Sequence, residues 1–243
     1  MSVPLNRVAV MLLASGLSRR YGRRDKLMAR LGYKHLIDHS ADVIASMPAL
    51  ARVAVCPPDH HNMRERLAGR FVIALNKKPK QGLGHSIAVG VQVALQFKPD
   101  AIVVCMGDMP FIEPWLIESL AAKLSDADIV HAGAPGRVHP PTAFGSACFD
   151  QLSTLDGDDG AKRIIGQGGF RILGLNAPAP LLLDIDTREE LDFARRQLAV
   201  REKHPAPQAP PPAEGSHPSP VKPPPPSNEQ AAPTPRRANA RPS

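Results

Sequence analysis

The chain is 243 residues long, 43% hydrophobic and 22% charged, with 27 prolines and a formal net charge of +7, a composition that suits one sizeable core rather than several small ones. Its basic residues gather around Arg19–Lys26 and in the last third of the chain, and only 4% of residues are aromatic, so neither an even basic coat nor a base-stacking surface for nucleic acid is present. Three widely spaced cysteines, Cys56, Cys105 and Cys148, argue against a disulfide framework and against a zinc site, and point to a reducing compartment.

In chain order, apolar β-rich runs alternate with helical patterns. A strand is expected over Val8–Leu13, a helix over Leu36–Met47, a strand over Val53–Cys56, a helix near Met63–Leu67 and a strand over Phe71–Leu75. The alternation continues with a helix over His85–Gln96, a strand over Ala101–Cys105, a helix over Pro114–Leu124 and a strand over Asp128–Ala132. Continuously apolar strands separated by helices describe a mostly parallel sheet covered on both faces. One three-layer α/β domain is therefore expected over residues 1–203.

The run Val8–Ala14 is too short to span a bilayer and lacks a cleavage pattern, and no other stretch approaches the ~18 apolar residues of a membrane helix. A cytoplasmic protein with no membrane partner and no nucleic-acid partner is the expectation. Residues 204–243 hold 14 of the 27 prolines and no aromatic residue. Such a segment cannot bury enough apolar surface to offset its chain entropy, so a disordered, Pro-rich tail is expected there. It could be a simple solvated extension, a tether, or a ligand for a proline-binding groove through Lys222–Pro226.

Three segments carry chemistry. The first strand runs into Ala14-Ser15-Gly16-Leu17-Ser18-Arg19-Arg20-Tyr21-Gly22-Arg23-Arg24-Asp25-Lys26. Small residues beyond a strand's carboxyl end let backbone N–H groups approach phosphate oxygens, and Arg and Lys supply positive charge for a triphosphate. The pattern is neither the phosphate loop G-x-x-x-x-G-K-[ST] nor the dinucleotide fingerprint G-x-G-x-x-G. The second segment, Gln81-Gly82-Leu83-Gly84-His85-Ser86-Ile87, places two glycines and a serine near a helix start. By its letters alone it is an anion or ribose site or a plain glycine turn with a serine cap. The third, Ile102-Val103-Val104-Cys105-Met106-Gly107-Asp108-Met109-Pro110, ends a buried strand in a carboxylate at the sheet's carboxyl edge, where a hard cation bridging phosphates would need one. A turn-forming or capping aspartate gives the same letters.

Taken together, these segments resemble the molybdenum cofactor nucleotidyltransferases, and within them the cytidylyltransferase-like members. The first is similar to L-A-A-G-x-S-x-R-M-G-x-x-K, matched by Leu13, Ala14, Gly16, Ser18, Arg20 and Gly22, with Lys26 in the place of the lysine. Ser15 replaces a smaller residue, Tyr21 replaces Met, and the glycine-to-lysine spacing is longer by one. That spacing, Gly22-Arg23-Arg24-Asp25-Lys26, is similar to the guanylyl branch. Gly82, Leu83, Ser86 and Ile87 approximate a cytidylyl G-M-x-x-S-L segment, and G-D-M-P is characteristic of the family. Leu183-Asp184-Ile185-Asp186-Thr187-Arg188-Glu189-Glu190-Leu191 resembles D-I-D-T-P-E-D-L. Gly136-Arg137-Val138-His139-Pro140-Pro141-Thr142-Ala143-Phe144-Gly145 and Leu155-Asp156-Gly157-Asp158-Asp159-Gly160-Ala161-Lys162-Arg163 resemble the family's G-H-P-V-x-F and G-D-x-G-A-R segments on the acceptor side, although by their letters a structural histidine and an ordinary turn read the same.

The resemblance spans nearly all of residues 7–195 and implies a Rossmann-like, GT-A-like nucleotidyltransferase fold. It implies that Leu13, Ala14, Ser15, Gly16, Ser18, Lys26, Gly82, Ser86 and Asp108 bind the nucleotide, with Arg20, Lys26 and Asp108 catalytic. It further implies magnesium (Mg2+) on Asp108 and Asp186, and acceptor contacts from His139 and Asp158. The implied substrates are CTP, with GTP as the alternative donor, and the molybdopterin cofactor. A client molybdoenzyme is the implied protein partner. Other phosphorylated acceptors remain open, as does a non-catalytic protein that binds and delivers the cofactor. The residues themselves leave Asp184 or Asp186 as the second oxygen ligand, and add that Asp186 or Thr187 is a good helix cap, with acidic residues following in the first turn.

Overall fold

The computed structural model describes residues 3–16, 20–22, 25–133 and 138–203. The first strand, β1 (Val8–Leu13), is buried along its whole length. Its side chains alternate between two cores: Val8, Val10 and Leu12 enter one, and Ala9, Met11 and Leu13 the other. Two-sided burial is why this strand reads as an unbroken apolar run. After a short hairpin of β2 (Arg30–Leu31) and β3 (Lys34–His35), the chain forms α1 (Leu36–Ser46), β4 (Ala51–Cys56), α2 (His61–Leu67) and β5 (Val72–Leu75). It continues through α3 (Gly82–Ala94), β6 (Ala101–Met106), α4 (Pro114–Ala122), β7 (Ile129–Ala132) and β8 (His139–Gly145). The last described elements are α5 (Phe149–Ser153), α6 (Lys162–Gln167), β9 (Ile172–Leu175) and α7 (Arg188–Lys203).

Seven strands form one sheet in the order β5-β4-β1-β6-β8-β7-β9. All run parallel except β8, which is antiparallel to both β6 and β7. Buried residues of α1, α2, α4 and α7 cover one face, Ile37, Leu67, Ile117 and Leu191 among them. Helices α3, α5 and α6 cover the other through Ile87, Val91, Leu152 and Ile164. The result is the three-layer, mostly parallel α/β architecture expected from the alternation.

The strand order reverses direction between β1 and β6, whose registers end together at Leu13 and Met106. A crevice beyond the carboxyl ends of two such strands is where open α/β sheets bind ligands. Strand β8 was not foreseen from the sequence, because Pro140-Pro141 cannot supply ladder N–H groups. The structure accommodates them between the paired positions His139 and Thr142, at a register shift in β7, where no ladder bond is demanded. The helix expected over His85–Gln96 begins earlier, at Gly82, so Gly82–Ser86 forms its first turn rather than the loop before it. The Pro-rich tail expected at 204–243 lies outside the described residues.

Candidate active site

The site is built where β1 and β6 end. Gly107 donates its N–H to the Leu13 carbonyl at 3.0 Å, and Ala14 donates to Val55 at 2.9 Å, so the two loops leave the sheet side by side. A side chain at 107 would place its Cβ 2.6 Å from Ile37 Cδ1 and 3.1 Å from the Leu13 carbonyl oxygen. Any larger residue would have to push Ile37 and the Leu13 carbonyl aside, so glycine eases the close approach that sets Asp108 facing the β1 loop. From the far end of the chain, Ile185 donates its N–H to the Asp108 carbonyl at 3.0 Å, which brings Asp186 to the same place.

Lys26 joins the two acids. Its Nζ donates to Asp108 Oδ2 at 2.6 Å and to Asp186 Oδ1 at 2.7 Å. The exposed Arg20 guanidinium pairs with the other oxygen of Asp186. Lys26 and Asp108 are both buried. Burial pushes the Asp108 carboxyl above the ordinary carboxylate range against the pull of Lys26, and Asp184 and Asp186 add to the rise. Burial also opposes the Lys26 ammonium, but Asp108 and Asp186 together outweigh it and hold its pKa above the usual lysine value. The ammonium shared by two carboxylates therefore keeps its proton at neutral pH. Asp108 Oδ1 is buried and has no hydrogen-bond partner among the described residues. Such an atom is costly to leave unsatisfied, and it points to a ligand or cation that completes the site.

Asp186 is not the helix cap. Thr187 accepts from the Glu190 N–H at 3.2 Å, and Glu190 Oε2 accepts from the Thr187 N–H at 2.8 Å and the Asp186 N–H at 2.7 Å. This capping box fixes the start of α7 and leaves the Asp186 carboxylate to Lys26 and Arg20.

A second, neutral network ties the β1 loop to α3. The Ser15 hydroxyl donates to Ser86 Oγ at 2.7 Å, Asn76 Nδ2 donates to the same oxygen at 3.0 Å, and Ser86 Oγ donates to the Gly82 carbonyl at 3.2 Å. Ser15, Asn76 and Ser86 are all buried. Asn76, which follows β5 directly, is a site residue that the sequence reading missed. Its position just beyond a strand's carboxyl end, the same signal that marked Asp108, was enough to find it. The glycine at 82 has a local cause: it sits at φ +92°, and a Cβ there would lie 2.5 Å from the Gly157 backbone. Gly84 donates its N–H to the Gly157 carbonyl at 2.8 Å. These glycines admit the Asp156–Asp158 turn against the start of α3.

Beside this turn lies a mainly apolar cleft of about 180 Å³, walled by Leu13, Leu83, Val104, Met106 and Phe144, with Asp158 and Lys162 at its rim. The structure thus brings Arg20, Lys26, Asp108 and Asp186 together, joins Ser15 to Ser86, and sets Asp158 on the adjoining cleft. His139 is half-buried with its Nδ1 2.7 Å from the Pro140 carbonyl, and its neighbours Val138 and Pro140 line the cleft. Leu13 and Ala14 are buried at the end of β1, Gly16 is exposed, and Ser18 lies outside the described residues. Tyr21, which stands where the signature has Met, packs against the core on the α1 side.

The family profile of the MobA-like NTP transferase domain matches residues 10–171. The chain is 30% identical over 198 residues to the purine catabolism protein PucB of Bacillus subtilis, covering 77% of this chain and 95% of the relative. It is 28% identical over 161 residues to a molybdenum cofactor guanylyltransferase of Mesorhizobium japonicum, covering 65% of this chain and 76% of that one. Among solved structures, a nucleotidyl transferase from Methanothermobacter thermautotroptrophicus superposes with a TM-score of 0.69 at 21% identity, covering 80% of this chain and 99% of the other.

Proposed function

The chain belongs to the MobA-like NTP transferase family and is a nucleotidyltransferase, and from that premise we propose that it transfers CMP from CTP to the terminal phosphate of the molybdopterin cofactor, releasing pyrophosphate. The observation that carries the proposal is the Lys26 ammonium held between Asp108 and Asp186 at the β1/β6 crevice.

In this reading an acceptor phosphate oxygen attacks the α-phosphorus of the NTP in line. The new O–P bond forms as the bond to the β-phosphate bridging oxygen breaks, and the electron pair leaves with pyrophosphate. The acceptor is already an anion, so no general base is needed. The work of the site is positioning and charge neutralisation. Lys26 and Arg20 neutralise the triphosphate and the leaving group. Ser15 and Ser86, joined through their hydroxyls, bind the nucleotide with Leu13, Ala14, Gly16, Ser18 and Gly82.

Asp108 and Asp186 fit a magnesium ion. Among the described residues Asp108 Oδ1 is a buried oxygen without a hydrogen-bond partner, and no cluster of three or more His, Cys, Asp or Glu is assembled. Two carboxylates completed by phosphate oxygens and water is the set magnesium usually takes. When bound, the ion would supply positive charge to the phosphate oxygens. The apolar cleft suits a flat heterocycle, with Asp158 and His139 on the acceptor side.

A second reading, GTP as donor, is favoured by the Asp25-Lys26 spacing and by the guanylyltransferase relative. Incubating the enzyme with magnesium, molybdopterin and each of CTP, GTP, ATP and UTP, and weighing the product by mass spectrometry, separates the two. A cytosine dinucleotide supports the proposal, a guanine dinucleotide moves the base, and no dinucleotide rejects the acceptor. The proposal also ends the domain at residue 203, before a Pro-rich tail. It places the enzyme in the cytoplasm, with a client molybdoenzyme receiving the product. Among the described residues no helix is long and apolar enough to cross a membrane.

A further inference from the structure

We propose that His60 is a positioning residue for nucleotidyl transfer: it holds Asp25 so that the turn carrying Lys26 presents its ammonium to Asp108 and Asp186. The inference rests on the transfer reading above and concerns a residue outside every segment that reading uses.

His60 ends the loop after β4 and stands at the N-cap of α2, yet its side chain makes no cap bond. Instead its Nδ1 lies 2.8 Å from Asp25 Oδ2. The other oxygen, Asp25 Oδ1, accepts the Leu27 N–H at 2.9 Å and so caps the 3-10 turn Lys26–Met28. One carboxylate thus clips the lysine turn to the β4 loop. Leu27 is buried in the core below this turn, so the turn is pinned from below by packing and from the side by Asp25. Lys26 then spans to two acids that arrive from β6 and from the segment before α7. Its reach is useful only if its own backbone is fixed, because a long flexible stem gains specificity from a fixed base. The bond is not a solvated surface pair, since the Asp25 side chain is only 14% exposed.

The test compares His60→Asn with His60→Asp. Asn keeps an N–H donor where Nδ1 stands; Asp, of the same size, sets an acceptor against Asp25. Both residues are favoured at a helix N-cap, so α2 is retained in each. Steady-state kinetics are measured with the NTP and the molybdopterin acceptor varied separately, alongside magnesium–NTP binding and thermal melting. The Asn variant is expected within about twofold of wild type in NTP KM, and the Asp variant about fivefold or more above it, with acceptor KM and melting temperature unchanged. Asp25→Ala should share the defect, and the double variant should be no worse than Asp25→Ala alone. Equal NTP KM values for the Asn and Asp variants, a defect spread over both substrates, or additive single effects would overturn the inference. A wild type without turnover would overturn the parent reading alone. The same ordering of magnesium–NTP affinities among the variants would then decide the role of His60.

Discussion

Replacing Lys26 with methionine keeps most of the aliphatic stem and deletes the ammonium that Asp108 and Asp186 share. Each carboxylate oxygen lies within 2.7 Å of Nζ, so the two are no more than about 5 Å apart, and charges at that range repel by ~3 kcal/mol at an effective dielectric of ~20. Removing one partner of a buried pair is destabilising by ~3–5 kcal/mol. Asp186 keeps Arg20, and the burial penalty on the lysine disappears with it. The net loss expected at pH 8 without magnesium therefore falls at or just below the low end of that range, ~2–3 kcal/mol. The pH dependence has a definite sign. The Asp108 pKa is already raised in the folded wild type and rises further without Lys26. Between its unfolded and folded values the folded state binds more protons than the unfolded one, so stability falls as pH rises through that window. The variant should thus recover part of its loss at pH 5. Urea unfolding at pH 5 and pH 8, with and without magnesium, measures this. At a slope of ~2 kcal/mol/M the pH 8 midpoint should fall by ~1 M. Magnesium should stabilise the variant more than the wild type, because it would bind carboxylates no longer engaged by the lysine. An unchanged midpoint, or an equal drop at both pH values, would refute the reasoning.

Three further outcomes follow from the same geometry. Ser86→Ala leaves the Ser15 hydroxyl and Asn76 amide without their shared acceptor; a loss of ~2 kcal/mol is expected, read as a melting temperature lower by ~4–8 °C, and an unchanged melt would show that the network rewires. Gly82→Ala sets a Cβ 2.5 Å from the Gly157 backbone at a φ of +92°; it should destabilise the fold by ~2 kcal/mol or more and weaken acceptor binding by calorimetry, as the Asp156–Asp158 turn is pushed from the cleft. Burial pushes the Cys56 thiol up to about 12 and Cys148 up to about 11, with Asp25 and Asp128 respectively adding to the rise, and raises Cys105 by desolvation alone. A colorimetric thiol reagent at pH 8 should therefore find no fast-reacting cysteine in the folded protein and all three after unfolding; rapid labelling of the native state would contradict their buried placement.

Two-sided burial made the sheet's centre legible: β1 matches its expected span, and β6 extends only one residue further, because strands covered on both faces are continuously apolar. The edges and late elements were harder to read. Strand β8 hides behind Pro140-Pro141, and β9, with its partly exposed residues, lacks an unbroken apolar run. Asp108 is legible as a strand-end carboxylate; the residues leave Asp184 or Asp186 as its partner, and the structure joins Asp186 to it through Lys26. That Lys26 would bridge them depends on residues 160 positions apart in the chain, a distance no local pattern encodes. Likewise the letters around Gly82 and Gly84 leave an anion or ribose site and a plain glycine turn both open, and the structure adds a packing partner, the turn at Asp156–Asp158, that adjacency in sequence does not reveal. The contact of His60 with Asp25, 35 positions apart, is likewise invisible to a local pattern.

The most direct test of the central claim is pyrophosphate release by wild type and Asp108→Asn, each with magnesium, molybdopterin and CTP or GTP. The account predicts release by the wild type that requires both acceptor and metal, and a fall of about 10²–10³-fold or more in the variant with its fold retained. Release by Asp108→Asn at the wild-type rate would contradict the assigned centre, and tight molybdopterin binding with no release from either nucleotide would make the protein a cofactor carrier instead.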